Sequence, residues 1–432
     1  MNTILNGILR DATYYILAGF GNQARIASLV CNLILDAVGA IAGANARQAL
    51  ADQGLERLHE HLPSEQIGTL RDQVMTVLRP ELFNFAFELG RDFLGLTDEF
   101  FIDDYTILRV NYPYAIALKS GETAENPGIG RTDPKVRALR NSTQKRDLVY
   151  DPRSYHKQTP PASWAHGPHK DTWTGHSRNG VNLWLAVSRV NEENGMVFYP
   201  DTFGKAYQPD PRSLYLVQGY PMPPPNKMAL RQGEMLVFNP ELLHATHLNT
   251  SDQTRIAVSA RINPERPRFD PNCFYAREFW HSSRDIESGR PDVIRQFNRE
   301  ENFEDVSSRF PETPVEHLIY TPVRCLLGND GRERVETAAL TVRNGKALVE
   351  LSDGQRVILL SEVGGWRGVQ EMCAHLDVSL MDGHHGDGRI HCPAHGVTFY
   401  TASGCSSSEL LNLRTFRVTV DGVWLVIDEV SA

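Results

Sequence analysis

The runs Asn182-Leu-Trp-Leu-Ala-Val187, Ser213-Leu-Tyr-Leu-Val217, Glu234-Met-Leu-Val-Phe238 and Arg255-Ile-Ala-Val-Ser-Ala-Arg-Ile262 decide the fold class. Each is short, rich in β-branched and aromatic residues, and bounded by Gly or Pro, the pattern of an antiparallel barrel or jelly roll. Upstream, two stretches recur with helical period: Leu5, Ile8, Leu9, Ala12, Tyr15 and Ile16, then Ile26, Leu29, Val30, Leu33, Ile34, Ala37, Val38 and Ile41. They predict amphipathic helices packed on the body of the protein or on a second subunit. More helix is expected from Gly54 through Leu94, and a strand at Tyr105 to Val110. Residues 264 to 319 are charged and Pro-dotted, a helical or irregular connector, and a second set of short strands runs from Thr321 to Ile427. The expected class is mainly β with N-terminal helices, and no internal repeat is evident.

Composition narrows the function. The chain has 432 residues, 44 Lys and Arg against 53 Asp and Glu, and a net charge of -9, which argues against a nucleic-acid binder working by general basicity. Six cysteines in this length form no disulfide framework, which points to a reducing cytoplasm. No signal peptide is read at the N-terminus. The most apolar stretch, Ile26 to Gly43, is interrupted by Asn32 and Asp36 and falls short of the roughly 20 clean residues of a membrane span, so an integral membrane protein is not expected. Residues 121 to 167 form a long irregular stretch, a candidate lid. Between Arg131 and Lys157 it carries eight basic residues against three acidic ones, which hints at an anionic substrate or partner, although a solvated loop fits equally.

Two constellations carry chemistry. In His169-Lys170-Asp171 the ligand-type side chains stand at i and i+2, on one face if the segment is extended, so an imidazole and a carboxylate can share a metal ion. His244, after the strand ending at Phe238, is the best third ligand, with His247 as a competitor. His166 and His176 read as pocket-lining or surface residues. Two histidines and one carboxylate leave positions open, as in non-haem Fe(II) oxygenases. Arg255 lies eleven residues past His244 and could hold a carboxylate end-on. The second constellation is Cys373-Ala-His375 and, sixteen residues later, Cys392-Pro-Ala-His395. Two thiolates and two imidazoles suit the two irons of a [2Fe-2S] cluster, and a Cys2His2 zinc site is the rival.

The front half resembles the phytanoyl-CoA dioxygenase-like branch of the Fe(II)/2-oxoglutarate oxygenases. The likeness rests on His169-Lys-Asp171, Asn182-Leu-Trp184, Glu193-Asn-Gly195 with Pro200, Gly233 to Phe238, and His244 with Asn249-Thr-Ser-Asp252 ahead of Arg255. It implies a double-stranded β-helix, jelly-roll or cupin-like, over residues 51–265, behind an N-terminal helical extension at 1–50. It also implies iron on His169, Asp171 and His244, the far carboxylate of 2-oxoglutarate on Arg255, and Trp184 and Thr246 lining the cosubstrate. Lys170 departs from the glutamine frequent at that place. Retention of Asp171 favours oxygen chemistry over halogenation.

The tail, residues 320–432 behind a connector at 266–319, looks like a Rieske domain. The signs are Gly365-Trp-Arg-Gly before the first loop, and Gly396, Thr398-Phe-Tyr and Ser403-Gly after the second. Cys373, His375, Cys392 and His395 then hold the cluster. Asp377 and Ala394 stand near where respiratory-type domains carry an extra cysteine pair, so the likeness is to oxygenase and ferredoxin types. Cys405 is expected to pack, and Cys31, Cys273 and Cys325 to be buried thiols.

The expected activity is oxidation of an unactivated C–H of a small molecule by Fe(II) and 2-oxoglutarate, ending in hydroxylation, desaturation or ring formation. The cluster would deliver electrons to the iron or regulate it. A ferredoxin or NAD(P)H reductase would supply those electrons, and a homo-oligomer could bring the metals together across subunits. The alternatives are a Rieske-fed oxygenase independent of 2-oxoglutarate, and a redox-sensing or electron-transfer protein whose barrel only binds.

Overall fold

The structure, a computed structural model, is described for residues 3–11, 14–119, 165–210, 215–269, 279–297, 313–376 and 378–430. The basic stretch at 131–157, Cys273 and Asp377 lie outside these residues. The architecture is mostly β with helices at the N-terminal end.

The long strand Arg255–Asn263 organises the front half. It pairs antiparallel with Val181–Ala186 on one side and with Ile107–Asn111 and Phe101–Asp103 on the other. Its period of two sorts the side chains. Ile256, Val258, Ala260 and Ile262 join the core shared with the helices, while Arg255, Ser259 and Arg261 line a pocket on the opposite face. Val181–Ala186 divides likewise: Val181, Leu183 and Leu185 enter the helix-side core, and Trp184 and Ala186 the inner one. The sheet continues through Met235–Phe238, and a three-stranded sheet of Asn226–Lys227, Met196–Phe198 and His244–Thr246 accompanies it.

Helices Gln23–Ala42 and Ile67–Glu88 cover the outer face. Gln23–Ala42 buries Ile26, Ala27, Val30, Ile34, Ala37 and Val38 in one core with Leu70, Val74, Leu78 and the sheet. At 20 residues and hydropathy 1.7 it is long and apolar enough to cross a membrane by length and composition, contrary to the expectation from Asn32 and Asp36. Its buried stripe nonetheless ties it to the body.

Two other local expectations change. The first helix stops at Arg10, and Tyr15–Leu17 is a strand paired with Met235–Phe238, so Tyr15 and Ile16 are not helical. Part of the expected connector also adds to the sheet, since Phe279–Ser282 pairs with Phe101–Asp103 and Arg295–Gln296 pairs with Phe279–Ser282. Here sheet pairing overrode local pattern.

The tail forms an eight-stranded antiparallel-dominated sheet from Val323–Arg324 to Trp424–Glu429 and a small sheet of His385–Gly386, Arg389–His391 and Thr398–Tyr400. The two cysteine-histidine loops border the small sheet. Cys325 is buried, as expected, Cys31 is half-buried, and Cys405 is exposed rather than packed.

Ile34 is fully buried, so Ile34→Ala should lower stability by about 2–4 kcal/mol, whereas Val77→Ala at a half-exposed position should change it by under about 0.5 kcal/mol. Urea unfolding of the two variants checks both.

Candidate active site and cluster loops

His169 and His244 face each other in an isolated antiparallel bridge. The amide of each donates to the carbonyl of the other, at 2.9 and 3.0 Å. Bridge partners put their side chains on the same face, and the imidazole centroids are 4.4 Å apart. Asp171 does not continue a strand, as the spacing suggested. It opens the short helical turn Asp171–Thr174, with its amide donating to Pro240 O at 2.9 Å. The carboxylate still arrives beside the rings: Oδ1 lies 3.4 Å from His169 Nε2 and 3.8 Å from His244 Nε2.

The surrounding hydrogen bonds aim these atoms. Nδ1 of His169 sits 2.7 Å from Gly167 O and Nδ1 of His244 2.8 Å from Leu242 O. A carbonyl only accepts, so both Nδ1 atoms carry the proton and both Nε2 lone pairs point inward. Asn182 Nδ2 holds Asp171 Oδ2 at 2.8 Å and Arg261 lies 3.5 Å from the same oxygen, which leaves Oδ1 for the centre. Burial opposes ionisation of Asp171, but His176, Arg261 and the two histidines hold its carboxyl well below the usual value. Burial, with His169 beside it, pulls His244 down to about 3. Neutral imidazoles and an ionised carboxylate are the forms in which these groups bind a dication. One ligand atom from each lies within 4.8 Å of the others, so this trio could hold a metal ion.

His247 stands apart from the trio. Its Nδ1 lies 2.6 Å from Leu248 O, and its Nε2 faces Lys227 Nζ at 3.3 Å. His166 and His176 line the pocket, as do Trp184 and Thr246. Lys170, whose contacts the sequence left open, is buried and reaches Lys205 O at 3.1 Å and Glu241 at 3.4 Å. Arg178 approaches the same carboxylate at 3.2 Å. Burial pushes Glu241 up, but Lys170 and Arg178 prevail and hold it below the ordinary range.

Arg255 is buried and lines the pocket, and its guanidinium lies 5.5 Å from the Trp184 ring centre. Its Nε has no hydrogen-bond partner and it makes no ion pair with a described residue. Burial, with Arg109 and Arg71 nearby, pulls it down to about 9. A buried cation without a carboxylate is costly, and the anionic end of 2-oxoglutarate fits that vacancy in the charge balance. Arg109 and Arg261 were not singled out in the sequence. Alternation places Arg261 beside Arg255 and Ser259, and the register Ala257 opposite Arg109 could have drawn attention to Arg109 once strand pairing was known.

In the tail, Cys373 Sγ is 2.8 Å from His375 Nδ1, Cys392 Sγ 4.0 Å from the same nitrogen, and His375 Nε2 2.7 Å from His395 Nδ1. All four side chains are buried. Burial opposes ionisation of both thiols, yet Cys373 and His375 hold Cys392 well below the usual thiol value. Cys373, His375 and Cys392 form a second group able to hold metal, with His395 against it, and the set fits a cluster bound by two thiolates and two imidazoles.

Residues 119–257 match the family model of phytanoyl-CoA dioxygenase and residues 335–417 that of the Rieske [2Fe-2S] domain. The chain carries a phytanoyl-CoA dioxygenase domain followed by a Rieske domain. It is an oxidoreductase whose cofactors are Fe(II), 2-oxoglutarate and a [2Fe-2S] cluster. Comparison with curated proteins finds no match. Among solved structures, the Rieske half is similar to the ferredoxin of carbazole 1,9a-dioxygenase from Nocardioides aromaticivorans IC177 (21% identity, 22% of this chain and 92% of that one, TM-score 0.20). The dioxygenase part is similar to the epimerase SnoN solved with Fe3+, alpha ketoglutarate and nogalamycin RO (14% identity, 62% and 85%, TM-score 0.33). It is also similar to the apo form of the non-haem monooxygenase ThoJ (12% identity, 73% and 88%, TM-score 0.33).

Because Glu241 answers two buried cations next to the histidine–aspartate turn, Glu241→Gln should cost about 3 kcal/mol. Chemical denaturation measures this, and an unchanged midpoint would mean that the buried charges do not steady the turn.

Proposed function

We propose that the chain is a non-haem Fe(II)- and 2-oxoglutarate-dependent oxygenase that attacks an unactivated C–H of an anionic small molecule, with its Rieske cluster delivering electrons to the iron or regulating it. The observation that carries this reading is the convergence of His169, Asp171 and His244 in one pocket with a buried Arg255 that makes no ion pair with a described residue. His169, Asp171 and His244 are the iron ligands in this reading, and Cys373, His375, Cys392 and His395 hold the cluster. Bound iron and 2-oxoglutarate would together activate dioxygen, which is the oxidant. The chain's own residues do the rest. Arg255 binds the far carboxylate, with Trp184 against its guanidinium and Thr246 lining the same space. Gly167 and Leu242 carbonyls fix the imidazoles, and Asn182 and Arg261 orient Asp171.

In this reading a double-stranded β-helix spans 51–265, joined by Tyr15–Leu17 from the helical extension at 1–50 and by Phe279–Ser282 and Arg295–Gln296 from the connector at 266–319, and the Rieske domain runs from 320. Five described cysteines are free, which agrees with a cytoplasmic setting, and a ferredoxin or NAD(P)H reductase is the electron source.

An anionic substrate follows from charge. Arg109, Arg255 and Arg261 line the pocket, and among the described residues that line it Asp171 is the only acidic one. Iron adds two positive charges and 2-oxoglutarate removes two, so cationic character remains for a carboxylate or phosphate on the substrate. Arg109 bonds Ser259 Oγ at 2.7 Å through Nε and makes no ion pair with a described residue. Arg109→Gln should raise the KM of an anionic substrate about 10-fold, the loss of one charged hydrogen bond, and leave that of a neutral analogue unchanged.

Reaction class is tested by substrate-stimulated release of succinate and CO2 from 2-oxoglutarate. Asp171→Ala should abolish it and leave the visible spectrum of the cluster intact, while Cys373→Ser should remove that spectrum. Turnover with NAD(P)H and a reductase but no 2-oxoacid would instead favour a Rieske-fed oxygenase.

A further inference from the structure

The geometry points to an electron contact between the two metal sites inside a single chain, made where the second cysteine-histidine loop rests on the segment that follows the His244 strand. This rests on the reading that the cluster serves the iron. It assigns the route to named residues and removes the need for a neighbouring subunit.

The strand His244–Thr246 presents His244 to the iron pocket. Four residues after His244, the amide of Leu248 donates to the carbonyl of His395 at 3.3 Å. The backbone between His244 and Leu248 spans at most about 14 Å when fully extended. One short peptide and one hydrogen bond therefore join a ligand of one site to a ligand of the other. Leu248 itself belongs to the buried cluster that contains Cys373, Cys392 and Val397.

The contact is packed on both sides. A Cβ at Gly396, the residue after His395, would come within 2.8 Å of Val197 Cγ2 and 3.3 Å of His247 Cδ2. Only a glycine allows the loop to sit this close to the barrel, and its φ of +68° also favours one. Lys227 donates to Thr398 Oγ1 at 2.6 Å from beside His247, fastening the small sheet to the barrel. Leu248, Lys227 and Gly396 are positioning residues: they touch neither substrate nor the reacting atoms, and they set the distance between the sites.

The step moves one electron and makes or breaks no bond. The reduced cluster, with one ferrous and one ferric iron, becomes all-ferric, and a barrel iron left ferric after an uncoupled turnover becomes ferrous. A reduced ferredoxin or flavin reductase then restores the cluster by one electron.

The test uses the full chain with both sites loaded and the barrel iron ferric. A flash photoreductant reduces the cluster, whose reoxidation is followed by visible absorbance, and the ferric signal is followed by freeze-quench EPR. Transfer is expected to be first-order and independent of protein concentration. Asp171→Ala and Cys373→Ser chains, co-expressed and purified together, separate the cluster from the iron. Their transfer should be about 100-fold slower, as expected when a tethered donor becomes a diffusing one. Lys227→Met in the full chain should slow transfer several-fold with the cluster spectrum and potential unchanged.

A co-expressed pair as fast as the full chain would overturn the intrachain route while leaving electron delivery standing. Absence of transfer in the full chain, with 2-oxoglutarate consumption intact, would overturn electron delivery itself and this route with it.

Discussion

The reciprocal hydrogen bonds between His169 and His244 are the constraint on which the front half depends. A single bridge of two residues fixes both imidazoles on one face. Everything else at the site is built against that pair. The Asp171 amide is anchored to Pro240, its carboxylate is turned by Asn182, and the next residue back, Lys170, drops into a buried ion pair with Glu241. Side chains from three separate segments thus reach one point without any long regular element at that spot. Every one of these polar side chains is buried, a cost that their mutual hydrogen bonds and ion pairs offset.

The parts of this design that could be read in advance are those whose chemistry is local. His169-Lys-Asp171 and the two cysteine-histidine loops hold their ligands two or three residues apart, so the spacing itself constrains where side chains can meet. Arg255 was legible from its place eleven residues past His244 at the start of the next strand-like run. Arg261 shares the inward parity of Arg255 on that strand, but no motif marks it. Arg109 became visible only through its register against Ala257, a pairing across more than a hundred residues.

Local pattern failed where distant pairing competed with it. Tyr15 and Ile16 continue a helical stripe in sequence, yet Met235–Phe238 offers them a hydrogen-bonded edge, and strand formation wins. Phe279–Ser282 lies in a charged, Pro-dotted stretch and is recruited in the same way by Phe101–Asp103. The apolar helix Gln23–Ala42 illustrates the opposite limit, because composition alone cannot say whether its stripe faces lipid or a sheet. Gln23, at its start, is fully buried and donates its amide to Leu17 O and Gly233 O, locking that helix to the strand it follows.

The small strand Tyr15–Leu17 has a bearing on how the protein behaves at high concentration. It occupies the outer flank of Met235–Phe238, which would otherwise present a row of unsatisfied amides and carbonyls to any passing chain. Removing residues 1–17 would uncover a hydrophobic template for strand addition, and self-association of the truncated form would rise even though both ligand clusters lie elsewhere.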